Sequence, residues 1–303
     1  MRVLVDADAL AYTCGFAGQH VVYDWTLTDV EGRAVDEGVT GDKTELQALE
    51  IDRPLGTVLS VESIVVAQPL VNVLAMCKNA LLKIEEAMDK EGLTFKKLEL
   101  LLTGKGNFRD QIATIVGYKA NRVGVDRPVH YKAIRRYMVE RWGAQTVHGI
   151  EADDQLAIIA ASEEYDPERV CIVSMDKDLE TVPGRLYNFK RRTMRIISEQ
   201  EALVNFYRQI LTGDVVDNIK GCYKCGKVRA EQVVHEGLEE EAMYRACLAE
   251  YQESLKRKGC LYVNLGAEAA LLENARLLHM LRAPGVQWLP PSARVTSEQL
   301  QLV

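Results

Sequence analysis

The sequence lacks a hydrophobic run long enough to cross a membrane, and it has few proline and aromatic residues. Its most apolar stretch, residues 63–76, is interrupted by Gln68, Pro69 and Asn72 and falls short of the roughly 20 residues of a spanning helix. Asp6 and Asp8 near the start exclude the basic and then apolar opening of a secretory signal. With 8 Pro and 21 Gly among 303 residues, a collagen-like or disordered chain is also excluded. We therefore expect a globular cytoplasmic protein without a membrane partner.

Cysteine usage and chain length add two further expectations. The 7 Cys are an odd number and are scattered along the chain, which favours reduced thiols over a disulfide framework. A length of 303 residues lies just beyond the size of about 250–300 residues at which a single core stops growing. We expect two domains in one chain that functions as a monomer.

The net charge of −7 is unevenly distributed along the chain. Residues 1–60 contain 11 acids and 4 bases, so this segment alone carries the formal charge of the whole protein. Residues 101–150 contain nine bases and three acids. An overall acidic balance argues against a nucleic-acid partner, whereas a local cationic segment suits one.

Short apolar runs alternate with helical patterns in the first two thirds of the chain. This alternation predicts an α/β fold with a parallel sheet covered by helices on both faces. Residues 21–62 are polar and acidic with turn signals, and they predict a β-hairpin. From about residue 199 the pattern predicts a second, α-helical unit. The predicted strands are 2–5, 98–102 and 170–174, and the predicted helices are 71–88, 131–142, 153–161, 199–211, 228–235, 239–257 and 267–281.

Acidic residues follow two of the three predicted strands, at Asp6 and Asp176, and precede the apolar run of the predicted helix 153–161. Each cluster alone has a structural explanation, such as capping a helix or closing a turn. Gathered at one edge of a sheet, nine carboxylates would repel each other unless cations lay among them. Carboxylate oxygens are the ligands of Mg²⁺ and Mn²⁺, and two such ions assist in-line displacement at phosphorus. The acids are Asp6, Asp8, Glu151, Asp153, Asp154, Asp176, Asp178, Asp214 and Asp217.

Four motifs, taken in order, resemble the signature of the 5′-nuclease superfamily. They are Gly117-Tyr-Lys-Ala-Asn-Arg122, Glu151-Ala-Asp-Asp154, Asp176-Lys-Asp-Leu179 and Gly213-Asp-Val-Val-Asp-Asn-Ile219. This superfamily includes flap endonucleases, the 5′-nuclease domain of bacterial DNA polymerase I and bacteriophage 5′→3′ exonucleases, and the resemblance runs from residue 2 to about 235. It implies a PIN-like catalytic domain at 1–198 with a helical arch at about 105–142, and a helix-three-turn-helix DNA-binding domain at 199–303.

The resemblance also implies an activity and its partners. The enzyme would be a metal-dependent 5′→3′ exonuclease or flap endonuclease that hydrolyses phosphodiester bonds near 5′ ends of DNA, including RNA primers in DNA–RNA hybrids. It would be encoded by a bacteriophage and serve DNA replication or degradation. Its cofactors would be two Mg²⁺ or Mn²⁺ ions, with K⁺ at the helix-three-turn-helix hairpin.

Individual residues take their expected roles from the same resemblance. The metal ligands would be Asp6, Glu151, Asp153, Asp154, Asp176, Asp178, Asp214 and Asp217, with Asp153 and Asp176 also counted as catalytic. Lys119 and Arg122 would contact the scissile phosphate as catalytic cations. Tyr118 would stack on a base, and Arg109, Lys132, Arg135 and Arg136 would grip DNA phosphates.

One position departs from the superfamily pattern. Where its members usually have an aspartate at the end of the second strand, this chain has Thr103 or Gly104. The missing acid would weaken the metal site nearer the nucleophile. We expect Asp8, which only some members share, to compensate for it.

Residues 218–227 occupy the place of the glycine-rich hairpin of the superfamily. Gly221, Gly226 and Lys227 would hold a duplex phosphate, whereas Lys224 replaces a usual glycine. Cys222 and Cys225 allow an alternative reading as a zinc site, but a lone C-x-x-C lacks a second pair at suitable spacing. The two cysteines fit the apolar positions of the hairpin better.

Two other functions remain open at this point. Asp6-Ala-Asp8, Ser174 and Asp214 superficially match haloacid-dehalogenase phosphatases, in which the first aspartate is a nucleophile, although Leu10 stands where that motif has Thr or Val. The missing acid near Gly104 also allows a non-catalytic DNA-binding relative of the nucleases.

Overall fold

The computed structural model describes residues 1–294, which form two compact units. One unit contains residues 1–9 and 84–125 together with the described chain from 138 onward, and the other contains residues 10–83 and 126–137. The predicted boundary between 198 and 199 remains a prediction, and residues 295–303 of that predicted domain lie outside the described residues. No helix in the described part of the chain is long and apolar enough to cross a membrane.

The first unit is built on a predominantly parallel six-stranded sheet, which confirms the predicted α/β class. The strand order is β6-β5-β1-β7-β8-β9, in which β9 alone is antiparallel to its neighbour. The strands are β1 (Arg2–Asp6), β5 (Leu98–Asn107), β6 (Gln145–Gly149), β7 (Val170–Val173), β8 (Gly184–Asn188) and β9 (Thr193–Ile197). Their apolar side chains, such as Val3, Leu100 and Ile172, are buried as expected for a covered parallel sheet.

The helices of the chain follow the predicted periodicity closely. Helix α6 begins directly after Glu151, and Ser198 caps the start of α7 by accepting the Glu201 N–H. The helices predicted from sequence are α3 (Leu70–Lys90), α5 (Tyr131–Trp142), α6 (Ala152–Ser162), α7 (Glu199–Thr212), α8 (Lys227–Val233), α9 (Glu240–Leu255) and α10 (Ala267–Leu278). Helices α7–α10 pack around one apolar core that contains Tyr207, Tyr251 and Leu271.

The segment predicted as a helical arch contains little helix before α5. Helix α4 (Arg109–Ile112) has four residues, and a single 3₁₀ turn covers Ala120–Arg122. Lys119, just before that turn, has a φ of 52°, and its N–H donates to the Asp217 carbonyl at 3.0 Å. The functional motif at 117–122 is therefore held as an irregular loop against the turn at Asp217.

The second unit contains the acidic segment, which is more than the predicted hairpin. Strands β2 (Gln19–Thr28) and β3 (Ala34–Thr40) form that hairpin around Gly32. A third antiparallel strand, β4 (Val58–Ala67), pairs along the whole of β2, and helix α2 (Lys43–Asp52) connects β3 to β4. The run at 63–76 thus divides into the end of a strand and the start of α3, because Gln68 and Pro69 separate two periodic patterns.

Helix α1 (Ala7–Ala17) was not predicted, although it decides where the first acids lie. It begins directly after β1, so Asp6 is the last residue of the strand and Asp8 lies in the first turn of the helix. The Asp6 carboxylate accepts the Ala9 N–H at 3.0 Å and so caps the helix. Strand and helix meet without a loop, which left no turn signal in the sequence.

Candidate functional site

The carboxyl ends of the parallel strands bring the sequence-predicted acids to one edge of the sheet. Strand β1 lies between β5 and β7 and ends at Asp6. Asp176 follows β7, and Glu151 follows β6 and opens α6. The parallel order thus places residues from distant parts of the chain together, as expected for a ligand site in an open α/β sheet.

Two of these acids, Asp6 and Asp176, are linked by hydrogen bonds through Ser174. The Ser174 hydroxyl donates to Asp6 Oδ2 at 2.7 Å, and the Asp176 N–H donates to the Ser174 oxygen at 3.0 Å. The Asp176 carboxylate in turn accepts the Asp178 N–H at 2.9 Å. Asp178 is fixed from the helical side by Gln209 of α7, whose amide donates to its Oδ1 at 2.6 Å.

The crowding of these acids shows in their pKa values. Burial and the nearby Asp8 and Asp176 charges raise the pKa of Asp6 to about 6. Burial and the charges of Asp176 and Asp214 raise the pKa of Asp178 to about 7. The pKa of Asp153 lies well above its usual range because the group is buried near Asp6, Asp176 and Glu151. These acids therefore share one electrostatic environment.

Four acids of this environment have no basic partner. Among the described residues, no Lys or Arg nitrogen lies within 4.0 Å of Asp6, Asp153, Asp176 or Asp178. Desolvated carboxylates without cations are unfavourable. We name these four residues the uncompensated acids.

Basic side chains neutralise the acids at the rim. Lys119 Nζ pairs with Glu151 and lies 3.5 Å from Asp217 Oδ2. Arg122 Nη2 lies 2.7 Å from Asp217 Oδ1, and Lys177 Nζ lies 2.8 Å from Asp214 Oδ2. Both Lys119 and Arg122 thus lie beside predicted metal ligands, and their contact with a phosphate remains a prediction.

Arg109 is not a DNA-channel residue as predicted, because it is buried with 1% of its surface exposed. Its guanidinium forms a bidentate pair with Asp154, at 2.6 and 2.9 Å, and donates to the Leu277 and His279 carbonyls. The guanidinium N–H groups that would bind a phosphate donate instead to groups inside the protein. Phe108-Arg109 gave no sequence signal for burial, since arginine is rarely buried.

Asp154 likewise does not fit the predicted role of a metal ligand. Its side chain is fully buried, and besides Arg109 its oxygens accept the N–H groups of Glu151 and Leu281, at 3.2 and 3.1 Å. These bonds occupy both oxygens with structural partners. Asp154 is thus the helix-cap residue that a first-turn acid alone would suggest.

Tyr118 is too buried to stack on a base, since 9% of it is exposed. Its hydroxyl lies 2.8 Å from Glu151 Oε2 and 2.7 Å from Asp217 Oδ2. The Lys119 ammonium lies 4.9 Å from the centre of its ring. Tyr118 therefore joins Glu151 to Asp217 and positions two acids that are far apart in sequence.

Asp8 lies beside the position in β5 where the usual acid is missing, and its compensation for that acid remains a prediction. Asp8 Oδ2 accepts the Thr103 N–H at 2.6 Å, which places a carboxylate beside the end of the second strand of the sequence pattern. Gly104 itself has no room for a side chain, because a Cβ there would lie 2.4 Å from the Val147 carbonyl oxygen. The bulge between β5 and β6 excludes an aspartate at 104 in this backbone.

The hairpin at 221–226 differs in part from its prediction. Gly221 is buried, and its N–H donates to Asn274 Oδ1 at 2.9 Å, so this amide is not available to a phosphate. Gly226 and Lys227 are exposed at the start of α8. Lys224, at the position of a usual glycine, adopts a φ of 59°.

The cysteines of this hairpin lie in the helical core. Cys222 and Cys225 are free thiols with 3% and 7% exposure, so they fill the apolar positions as expected. All seven cysteines are free and buried.

Lys132, Arg135 and Arg136 lie in the part of α5 that belongs to the second unit. Lys132 and Arg136 are exposed, and Arg135 Nη1 lies 3.3 Å from the Tyr131 hydroxyl. Their role as phosphate contacts remains a prediction.

Sequence reasoning missed the residues that hold the acids in place. Ser174 holds Asp6 and Gln209 holds Asp178 by hydrogen bonds. The Thr103 hydroxyl accepts the Ala152 N–H at 2.9 Å and so holds the start of α6. Lys177 lies between two candidate ligands in the sequence, which was a signal for a nearby counter-charge. Gln209 had none, because it lies on a regular amphipathic helix.

Comparisons with known proteins find structural but not sequence relatives. No protein-family model matches the chain, and no curated protein sequence is similar to it. A bacteriophage T5 protein co-crystallised with metal ions is 16% identical, with 91% of this chain and 88% of that chain covered and a TM-score of 0.49. The bacteriophage T5 flap endonuclease in a product complex with DNA and metal ions is 19% identical over 68% of this chain and 80% of that chain, with a TM-score of 0.45.

A third similar structure is the bacteriophage T5 5′-exonuclease with bound zinc ions. It is 14% identical over 92% of this chain and 98% of that chain, with a TM-score of 0.43. These solved structures are 5′-nucleases, the superfamily that the sequence motifs resemble.

Proposed function

We propose that this protein is a divalent-metal-dependent nuclease that hydrolyses phosphodiester bonds near the 5′ ends of DNA, as a 5′→3′ exonuclease or flap endonuclease. The observation that carries the proposal is the convergence of the uncompensated acids beside Lys119 and Arg122. A cluster of carboxylates suits hard cations, and adjacent fixed cations suit a phosphate.

The donor set fits a divalent ion chemically, although its side chains are not arranged as a finished site. Within residues 1–294, no three His, Cys, Asp or Glu side chains are arranged to hold one ion. The oxygens of Asp6, Asp153, Asp176 and Asp178 lack cationic partners, whereas Glu151, Asp214 and Asp217 would exchange theirs. These seven residues, with Asp8 of α1 beside Thr103 of β5, would hold two Mg²⁺ or Mn²⁺ ions.

The chain's own groups then have separate tasks. Bound divalent ions would activate water and neutralise charge on the leaving oxygen. Lys119 and Arg122, which lie 23% and 46% exposed at the rim, would transfer from Glu151 and Asp217 to the phosphate. Tyr118 would keep Glu151 and Asp217 together during this exchange, because its ring is buried.

Substrate recognition would rest on charge rather than on base contacts. The basic residues of 101–150 outnumber its acids, and the exposed Lys227 at the start of α8 adds a cation at the hairpin. Phosphate contacts of this kind bind without sequence preference and weaken with salt. A bacteriophage source, a role in DNA replication, DNA–RNA hybrid substrates, K⁺ at the hairpin, a monomeric state and a cytoplasmic location belong to the same proposal.

The decisive experiment compares two Asp→Asn variants on a 5′-labelled DNA flap. With Mg²⁺, we expect D153N to lose at least about 100-fold in cleavage rate and D36N, which changes an exposed acid of β3, to match the wild type. Fluorescence anisotropy in Ca²⁺ should show that D153N still binds the flap. Absence of Mg²⁺-dependent cleavage by the wild type, with binding retained, would instead identify a non-catalytic DNA-binding protein.

The structure disfavours the phosphatase alternative. Its nucleophile would be Asp6, which is 3% exposed and whose two oxygens accept hydrogen bonds from Ala9 and Ser174. Of the two candidate enzymes, only the phosphatase would form an aspartyl-phosphate. Trapping with beryllium fluoride therefore distinguishes the phosphatase from the nuclease. We expect no trapping.

A further inference from the structure

A cavity of about 430 Å³ lies in the first unit, on a part of the chain that the proposed nuclease chemistry does not use. It is bounded by α7, by residues near β8 and by the segment 279–289, which we name the strap. Phe206, Leu203, Val286 and Trp288 give it a largely apolar wall, and Tyr165 adds an aromatic ring. A volume of this size falls within the range of small-molecule sites, which is about 300–1,000 Å³.

Two polar side chains of the strap, Arg282 and His279, line this cavity, and each has a buried atom without a hydrogen-bond partner. Arg282 Nη1 and His279 Nδ1 are buried, and neither has a hydrogen-bond partner in residues 1–294. Buried polar atoms of native proteins normally have partners, so each exception requires an explanation. Here two exceptions lie three residues apart and line the same cavity.

Arg282 also forms no ion pair within the described residues. Its Nη2 donates to the Thr181 carbonyl at 2.7 Å, and its guanidinium lies 6.0 Å from the centre of the Tyr165 ring. No described carboxylate lies within 4.0 Å of it; of the two acids that line the cavity, Glu240 pairs with Arg294, and Glu199 forms no ion pair with Arg282. Burial lowers the pKa of Arg282, and it lowers the pKa of His279 well below its usual range, so the imidazole is neutral.

We propose that this cavity is a binding site for a small organic anion. Its acidic group would pair with the Arg282 guanidinium, and its apolar body would pack against Phe206 and Trp288. The neutral His279 would offer Nδ1 as a second polar contact. An inorganic anion would satisfy the guanidinium but leave the apolar wall uncovered, so the ligand class is an acid with a hydrophobic body.

The start of the strap and the end of α10 contact the buried ion pair of Arg109 and Asp154, which lies under the candidate active site. The carbonyls of Leu277 and His279 accept from Arg109, and the Leu281 N–H donates to Asp154 at 3.1 Å. Asp154 caps the helix that begins with Glu151 and Asp153. A ligand that fixes Arg282 and His279 would therefore slow local opening of the segment 277–282.

The test uses 3-phenylpropionate as the probe and 3-phenylpropanol as its neutral counterpart, with binding measured by isothermal titration calorimetry. We expect one molecule of the acid to bind wild-type protein at least tenfold tighter than the alcohol. R282M should lose at least tenfold in affinity for the acid, R282K should retain most of it, and R191M, which changes an exposed arginine, should leave it unchanged. Circular dichroism confirms that each variant is folded.

Hydrogen exchange supplies a second readout that does not depend on nuclease activity. The acid should slow amide exchange in residues 277–282 of the wild type and of R191M but not of R282M. The proposal is overturned if the acid does not bind, if acid and alcohol bind equally, or if folded R282M keeps wild-type affinity. It is also overturned if K119M abolishes binding, because the acid would then occupy the candidate active site.

Discussion

Two acidic regions of this protein differ in what their charges do. The segment 19–67, which contains β2, β3 and β4, has 10 acids and 3 bases, but its acids are mostly exposed along the strands and α2. In the exposed turn after β2, hydrogen bonds from the Arg33 and Glu31 backbone lower the pKa of Asp29. In the candidate site, burial and crowding raise the pKa of Asp6 and Asp178.

The comparison shows that the number of acids does not identify a site. Exposed carboxylates are hydrated and satisfied by nearby N–H groups, and they require no cation. The uncompensated acids are desolvated next to one another, so their ionised forms require one. The net charge of the whole chain, −7, therefore equals that of the exposed segment 19–67. The candidate site is distinguished by the burial of a few acids and not by their number.

The largest predicted effect concerns the ion pair under the candidate site. R109L leaves Asp154 buried without its partner and should cost about 3–5 kcal/mol of unfolding free energy, measured by urea denaturation. R33L removes the exposed ion pair between Arg33 and Asp29 in the acidic sheet. We expect no measurable change in its unfolding free energy. Equal losses in the two variants would show that the buried pair carries no special role.

Next in size is the loss of a rim cation. K119M should lower the flap-cleavage rate about 100- to 1,000-fold, because a fixed charge beside the phosphate is lost, with little change in thermal stability. K43M removes a lysine near Tyr23 in the acidic sheet and should cleave at the wild-type rate. Steady-state kinetics on a labelled flap measures both, and a wild-type rate in K119M would contradict its assigned place at the phosphate.

The pH dependence of stability should separate the two acidic regions in metal-free protein. The folded pKa values of Asp6 and Asp178, about 6 and 7, lie above their unfolded value of about 3.9. The contribution of these two groups to folding stability is therefore fully present below the unfolded pKa of about 3.9. It is lost as the pH rises through the folded values of about 6 and 7.

In EDTA, we expect the unfolding free energy to fall between pH 4 and 7, on the order of 1 kcal/mol per pH unit for each group. Saturating Mg²⁺ should remove most of this fall. The double variant D6N/D178N should show a flatter profile, whereas D36N should follow the wild type. An identical slope in all three proteins would place the titrating groups elsewhere.

The smallest predicted effect is that of Asp8. D8A should weaken Mn²⁺ binding about tenfold, because its carboxylate stands beside Thr103 where the usual acid is missing. Calorimetric titration against D24N, an exposed acid of β2, provides the control. Unchanged affinity in D8A would reject compensation by this residue.

Much of this architecture was predictable from sequence because its signals are local. Short apolar runs gave β1, β5 and β7, of which the first and third are followed by an acid, and periodicity gave α6 and α7. Position along parallel strands then brought Asp6, Asp153 and Asp176 to one edge. Strand β4 was missed because its end forms one apolar stretch with the start of α3, interrupted only by Gln68, Pro69 and Asn72.

The fate of each individual side chain was not predictable, because it depends on tertiary burial. Arg109 and Tyr118 looked like exposed DNA contacts in a basic segment, but long-range contacts with Asp154 and Glu151 draw them inside. Asp154 is adjacent to Asp153, and only its position on α6 turns it away from the other acids toward Arg109. Neighbouring residues of one motif thus divide between structure and chemistry.

The central claim is that the uncompensated acids form one pocket for divalent ions, and electron paramagnetic resonance of Mn²⁺ tests it most directly. Titration at neutral pH should show two ions bound to the wild type and to D36N, with binding lost or strongly weakened in both D153N and D176N. Equal Mn²⁺ binding by all four proteins, or no binding by the wild type, would contradict the account.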